Sequence, residues 1–216
     1  PACNDSGFVN DRMCNCHREL LKEIERDNLR RFAPIDDCTF DNFNIEYYPA
    51  AAMENGVSPR EKAQKILESC RRYAQGFIPH SASILFMGGT GLGKTYLSAC
   101  IARVVAGAGY AVAYETAASA FDAFECAKFQ RGSADGEAAA QRVEQYLGCD
   151  LMILDDLGTE MITAYSTSAL YTLINTRLTR AKATIISMNC SNEELQKKYT
   201  PQILSRIEGE YQTLPF

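Results

Sequence analysis

From Ser58 onward the chain alternates short apolar runs with longer stretches of helical period. Ser58-Pro59 supplies a cap and a first-turn proline, which predicts a helix to about Gly76. Ser83 to Met87 is an apolar run closed by glycines, the pattern of a buried strand. The next helix starts at Lys94, places Leu97, Cys100, Ile101, Val104, Val105 and Ala108 on one face, and stops at Gly107–Gly109. Tyr110 to Tyr114, Asp150 to Leu154 and Ala183 to Met188 are three more predicted strands. Between them the spacing predicts helices over Ala117 to Phe129, Glu137 to Leu147 and Thr163 to Arg180. Ser191 with Glu194 forms a capping box for a short helix, and Thr200-Pro201 starts one more. Gly132 to Ala140, Ala-rich and punctuated by glycine, is expected to be a mobile surface loop. Strands and helices in alternation imply a parallel sheet covered on both faces, with functional loops at the strands' carboxyl ends.

The chain before Ser58 has a different texture. Residues 1–17 are rich in cysteine and turn formers, and residues 18–56 form a linker. That linker holds a charged helical stretch, Arg18 to Arg31, and an aromatic connector, Phe40 to Tyr48. The regular α/β remainder spans 57–216. No apolar stretch reaches the length of a membrane span, and no basic segment followed by an apolar one suggests a signal peptide. Opening on Pro1 rather than Met suggests a trimmed fragment. The net charge of −5 disfavours a surface that coats nucleic acid broadly, but leaves room for a local basic groove. Candidate basic positions are Arg71, Arg72, Lys128, Arg131 and Lys182; each reads first as a plain solvated charge. Of nine cysteines, Cys38, Cys70, Cys100, Cys126, Cys149 and Cys190 are scattered singly, several in apolar runs. They read as reduced core thiols of a cytoplasmic protein.

Gly88-Gly89-Thr90-Gly91-Leu92-Gly93-Lys94-Thr95 matches G-x-x-x-x-G-K-[ST] at every position, between a predicted strand and a predicted helix. Average residue usage puts a chance match in a chain this long at roughly one in a hundred. The chemistry dictates the residue types. Glycines let consecutive backbone N–H groups turn inward around a phosphate. Lys94 would reach the β- and γ-oxygens, Thr95 would offer its hydroxyl to Mg²⁺, and the helix N-terminus would face the anion. The loop selects a nucleoside triphosphate with Mg²⁺ and does not separate ATP from GTP.

Leu151-Met152-Ile153-Leu154-Asp155-Asp156 is an apolar run ending in two carboxylates. After a phosphate loop, this is where Mg²⁺ is held and water activated. Asp155 would hold the metal through water, and Asp156 would orient or deprotonate the attacking water. Asn189, at the polar tip of Thr184-Ile185-Ile186-Ser187-Met188-Asn189, is placed to hydrogen-bond the γ-phosphate or that water; it also reads as a turn former.

Together with the phosphate loop, the segments LMILDDLGTE (151–160), LYTLINTRL (170–178), TIISMNC (184–190) and LSRIEGEYQTLPF (204–216) resemble the AAA+ ATPases of the bacterial DnaC/DnaI helicase-loader group. The transposition helper IstB is a near relative. The resemblance covers residues 80–216, and ACNDSGFVNDRMCNCHREL resembles the Cys-rich region before the ATPase domain of DnaI-like proteins. It implies a five-stranded parallel sheet in which the Asn189 strand lies between the phosphate-loop strand and the Asp155–Asp156 strand. It implies ATP, a sensor-1 role for Asn189, and an arginine finger at Arg206 that serves a neighbouring subunit. Arg177 and Glu160 fall in family-like positions near the expected subunit interface. Such proteins continue into a helical lid; set against them, a chain that stops at Phe216 is expected to have that lid missing or truncated.

The resemblance therefore implies an ATP-dependent loader of the replicative DNA helicase, self-associating and weak in hydrolysis alone, with single-stranded DNA as a partner. An IstB-like transposition ATPase and a nucleotide-switched adaptor without turnover share the same residues. Cys3, Cys14 and Cys16 are soft ligands close in sequence, a possible zinc site that His17 could complete. The family-like pattern would have a further cysteine shortly before Cys3, ahead of Pro1 where the sequence starts.

Overall fold

The computed structural model describes residues 3, 6, 8–9, 12–17, 19–20, 23, 37–52, 56–190 and 192–216. Most of the Arg18 to Arg31 stretch, and Ser191 of the expected capping box, lie outside the described residues.

A small antiparallel pair, β1 (Phe8–Val9) and β2 (Arg12–Met13), precedes the main body. The main elements follow as α1 (Pro59–Gln75), β3 (Ser83–Met87), α2 (Lys94–Gly107), β4 (Val112–Thr116), α3 (Ala117–Phe129), α4 (Ala134–Gly148) and β5 (Leu151–Leu157). After these come α5 (Ala164–Thr179), β6 (Ala183–Met188), α6 (Asn192–Lys198), α7 (Pro201–Glu210) and β7 (Tyr211–Pro215). The sheet order is β4-β5-β6-β3-β7, and every neighbouring pair is parallel. Parallel pairing demands crossovers, and the helices supply them on both faces. One face packs on α1 and α2 through Ile66, Cys70, Leu97 and Ile101. The other packs on α3 to α7 through Phe121, Leu170, Leu173 and Ile203. The β6 strand lies between β3 and β5, as the family resemblance implies.

Local chemistry sets the element ends. Ser58 and Glu61 form a reciprocal capping box at α1, followed by Pro59. Thr163 does the same for α5 with Ser166. Residues 37–48 are packed against the main body: Cys38 and Phe40 are buried in the α1–α2 core. The Tyr96 hydroxyl donates to the Thr39 carbonyl at 3.1 Å, and Arg60 Nε donates to the Tyr48 carbonyl at 3.1 Å. Of the scattered cysteines, Cys126 is half-buried and the other five are buried; all are free thiols.

Three expectations need correction. Gly132 to Ala140 is no mobile loop, because α4 begins at Ala134, with Ser133 Oγ capping the Gly136 N–H at 3.0 Å. Alanines favour the helix. Gly136 is a packing requirement, since a Cβ there would stand 2.0 Å from the Gln130 carbonyl oxygen. The second strand starts two residues later than expected, at Val112, and the Asp155 strand runs on to Leu157. The edge strand β7 was not legible as a strand from its own pattern.

Candidate functional site

The phosphate loop leaves β3 at Gly88 and enters α2 at Lys94. Gly93 has φ 85°, and a Cβ there would meet Phe43 and the Tyr48 hydroxyl at 2.9 Å. Gly88 has φ 152°, and its Cβ would meet Phe216 at 2.8 Å. Only glycine fits both turns. No side chain caps the N-terminus of α2, so its first N–H groups stay open to an anion. Lys94 is buried, and its Nζ donates to the carbonyls of Gly88 and Gly89 at 2.8 and 2.7 Å. Burial pushes the Lys94 pKa down, opposed by the charges of Asp156 and Asp155. Thr95 is exposed, and its hydroxyl makes no hydrogen bond among the described residues.

The acids stand at the carboxyl end of β5. Asp155 is 4% exposed. Its Oδ1 accepts a short hydrogen bond from Ser187 Oγ, and its Oδ2 accepts one from the Tyr114 hydroxyl at 2.9 Å. Burial and the Asp155 charge push the Tyr114 phenol well above its ordinary pKa, so it stays a donor. The same hydroxyl lies 3.4 Å from the Thr95 carbonyl oxygen. Asp156 adopts φ 57°, a left-handed backbone that an aspartate adopts at a cost. The β5–β6 register shifts between Leu154 and Leu157 at this point. The bulge turns Asp156 toward β6, where Asn189 Nδ2 donates to its Oδ1 at 3.0 Å.

Lys94, Asp155, Asp156 and Asn189 therefore gather at the carboxyl ends of three adjacent strands. Arg206 does not join them within the chain: it is exposed on α7, with no hydrogen bond or ion pair among the described residues. Glu160 is engaged internally, accepting from the Gly158 N–H at 2.7 Å and from the Tyr199 hydroxyl at 2.8 Å. Arg177 corrects the expectation of an interface residue. It is 0% exposed, and its guanidinium donates to the Tyr146 and Ala183 carbonyls and to Thr184 Oγ1. Among the basic positions, Arg71 pairs with Asp41 and Lys182 with Asp150, each at 2.8 Å.

Sequence reasoning missed Tyr114, Ser187 and a cavity beside the loop. That cavity, of about 340 Å³, lies between the connector, the start of α1 and the phosphate loop. Phe43, Tyr48, Val57, Pro59, Leu92 and Phe216 line it. The Tyr48 hydroxyl donates to the Leu92 carbonyl at 2.9 Å, fixing one wall to the loop.

Residues 57–207 match the family described as IstB-like ATP binding protein. The chain belongs to this family. Among curated relatives of this IstB-like chain, the replicative helicase loader DnaC of Escherichia coli (strain K12) is 22% identical over 171 residues. That match covers 79% of this chain and 63% of DnaC. DnaC of Buchnera aphidicola subsp. Acyrthosiphon pisum is 20% identical over 171 residues, with the same coverage of 79% and 63%. The chain thus spans 63% of the length of these curated relatives. The crystal structure of the DnaC helicase loader superposes with a TM-score of 0.65 at 19% identity, over 82% of this chain and 98% of that one. DnaA from Aquifex aeolicus bound to AMPPCP gives 0.61 at 19% identity, over 83% and 50% of the two chains. These likenesses show that the chain shares the fold of those proteins, a parallel sheet with the phosphate loop at the carboxyl end of a central strand.

Among the described residues, no helix is long and apolar enough to cross a membrane. The Sγ atoms of Cys3, Cys14 and Cys16 lie within 4.8 Å of one another, and Cys3 and Cys16 approach to 3.2 Å.

Proposed function

We propose that this chain is an ATP-driven loader of the replicative DNA helicase, binding Mg²⁺-ATP at Gly88–Thr95 and hydrolysing it where two subunits meet. One observation carries the reading: Lys94, Asp155, Asp156 and Asn189 converge, while Arg206 stands exposed and unengaged on the same chain. The donors near the loop are hard oxygens, the Thr95 hydroxyl and the Asp155 carboxylate, and that set suits Mg²⁺. The bound ion would neutralise charge on the phosphates. Asp156, steadied by Asn189, would accept a proton from the attacking water. Lys94 would exchange its loop carbonyls for phosphate oxygens. The cavity beside Leu92 would take the adenine, between Tyr48, Val57 and Phe216. Arg206 would reach the triphosphate of a neighbour, where an arginine finger contributes ~10³–10⁵ in rate.

The DnaC relatives, named as replicative helicase loaders, point to that helicase as the partner. Single-stranded DNA would be a second partner. Lys128 stands over the rings of Phe129 and Tyr165, with centroids 5.3 and 5.1 Å away, and Phe129 is 65% exposed. Arg131 lines the adjoining groove. An exposed ring beside cations suits a stacked base and its phosphate. A purified cognate replicative helicase is expected to co-elute with this protein in the presence of Mg²⁺-ATP. Recovery of no helicase, with or without nucleotide, overturns the proposal. Tight, salt-sensitive duplex binding instead would favour an IstB-like transposition role.

The three clustered thiols would hold zinc, a soft-ligand ion that binds thiolate sulfur at about 2.3 Å. Metal analysis of the purified protein is expected to find about one zinc per chain. Zinc near zero removes that part of the reading.

A further inference from the structure

We propose that Tyr114 and Ser187 are positioning residues that hold Asp155 for the metal and tie its placement to the phosphate loop; this rests on reading the site as one for Mg²⁺-triphosphate. Asp155 is nearly sealed from solvent, so water cannot orient it. Its two oxygens are taken by two different hydroxyls from the two flanking strands, Tyr114 on β4 and Ser187 on β6. A carboxylate gripped at both oxygens cannot turn about its own axis. Each oxygen still keeps an acceptor position, because an ionised carboxylate has about four.

The Ser187 hydroxyl serves both acids. It donates to Asp155 Oδ1 and accepts the Asp156 N–H at 3.0 Å. One side chain thus fixes the metal-holding acid and the backbone of the water-orienting acid together. Tyr114 makes the other connection. Its single proton goes to Asp155, while its oxygen rests 3.4 Å from the carbonyl of Thr95, the residue whose hydroxyl is the other proposed metal ligand. Both proposed metal residues therefore meet at one phenol.

Neither contact recommends itself as a stability device. A buried carboxylate is costly, and well-packed apolar residues of similar volume are often as stable. The arrangement gains its value from orienting an anion toward a cation that is not part of the fold.

The test is equilibrium binding of a fluorescent ATP analogue, read by anisotropy in EDTA and across a Mg²⁺ titration. Tyr114→Phe keeps the ring and its packing and removes only the hydroxyl. Ser187→Ala removes the second grip and guards against one variant failing to fold. Affinity in EDTA is expected to stay within about twofold of wild type for both, since neither hydroxyl contacts Lys94 or a loop N–H and the one loop contact, Tyr114 to the Thr95 carbonyl, is long at 3.4 Å. The Mg²⁺ concentration for half-maximal enhancement is expected to rise about 10-fold, the usual cost of losing a group that orients a metal ligand. An unshifted Mg²⁺ profile in folded Tyr114→Phe and Ser187→Ala proteins overturns the proposal. An equal loss in EDTA and in Mg²⁺ also overturns it, because that is the mark of a general structural defect. If wild-type protein binds the analogue with no Mg²⁺ response, the underlying site reading fails first.

Discussion

Arg177→Met is expected to lower stability by about 3–5 kcal/mol. Arg177 is the largest fully buried side chain among the described residues. Among the described residues no carboxylate pairs with it; its charge is dispersed over backbone and hydroxyl acceptors. Two of those, the carbonyls of Tyr146 and Cys149 at 2.5 and 3.2 Å, belong to the C-terminal end of α4, whose last carbonyls lack helical partners. Two others, the Ala183 carbonyl at 2.6 Å and the Thr184 hydroxyl at 2.9 Å, open strand β6. One guanidinium thus closes a helix end and joins it to a central strand. Methionine fills much of the volume and leaves these acceptors dry and unpaired, each costing about 1–3 kcal/mol before relaxation. For a chain of this size the melting temperature should fall by roughly 6–20 °C.

Arg180 supplies the control. It is exposed, and among the described residues its guanidinium makes one hydrogen bond, to the Leu147 carbonyl at 3.4 Å. Arg180→Met should change stability by less than about 1 kcal/mol. Thermal unfolding of the two variants checks the pair. A melting temperature of Arg177→Met within about 2 °C of wild type would return Arg177 to the surface role that its place in the sequence suggested.

Much of the fold was legible because its period is strong. β3 and β6 begin and end where their apolar runs do, and the buried central strands leave no polar alternation to confuse. The edge strand β7 escaped for the opposite reason. Tyr211–Pro215 is mostly exposed, carries one buried residue, and ends in proline, which edge strands tolerate. The start of α4 escaped because Gly136 reads as a breaker, and the close approach of the Gln130 backbone that requires it is a tertiary fact.

The site divides in the same way. The phosphate loop and the acid pair lie in contiguous segments, so their chemistry could be read directly. Tyr114 and Ser187 could not, because each is one hydroxyl inside an apolar strand. Only the pairing of β4 and β6 on either side of β5 brings them to Asp155. The Arg177 misreading shares this origin. Arginine is mostly exposed, and no local pattern announces a buried one that satisfies backbone acceptors from distant elements.

The central claim is that Gly88–Thr95 is a working triphosphate site, and Lys94→Ala tests it most directly. Lys94 is held at the mouth of the loop by two carbonyls that water can take over, since Gly88 is half-buried and Gly89 exposed. Its removal should leave the fold intact, with a melting temperature within about 3 °C of wild type. A triphosphate would lose a charge-assisted partner worth about 2–4 kcal/mol, or roughly 30- to 1,000-fold in Kd. The measurement is calorimetric binding of Mg²⁺-ATP to both proteins. The structure predicts saturable, one-site binding by wild type and a Kd raised at least about 30-fold in Lys94→Ala. Equal affinities in the two proteins, or no binding by the wild type, would contradict it.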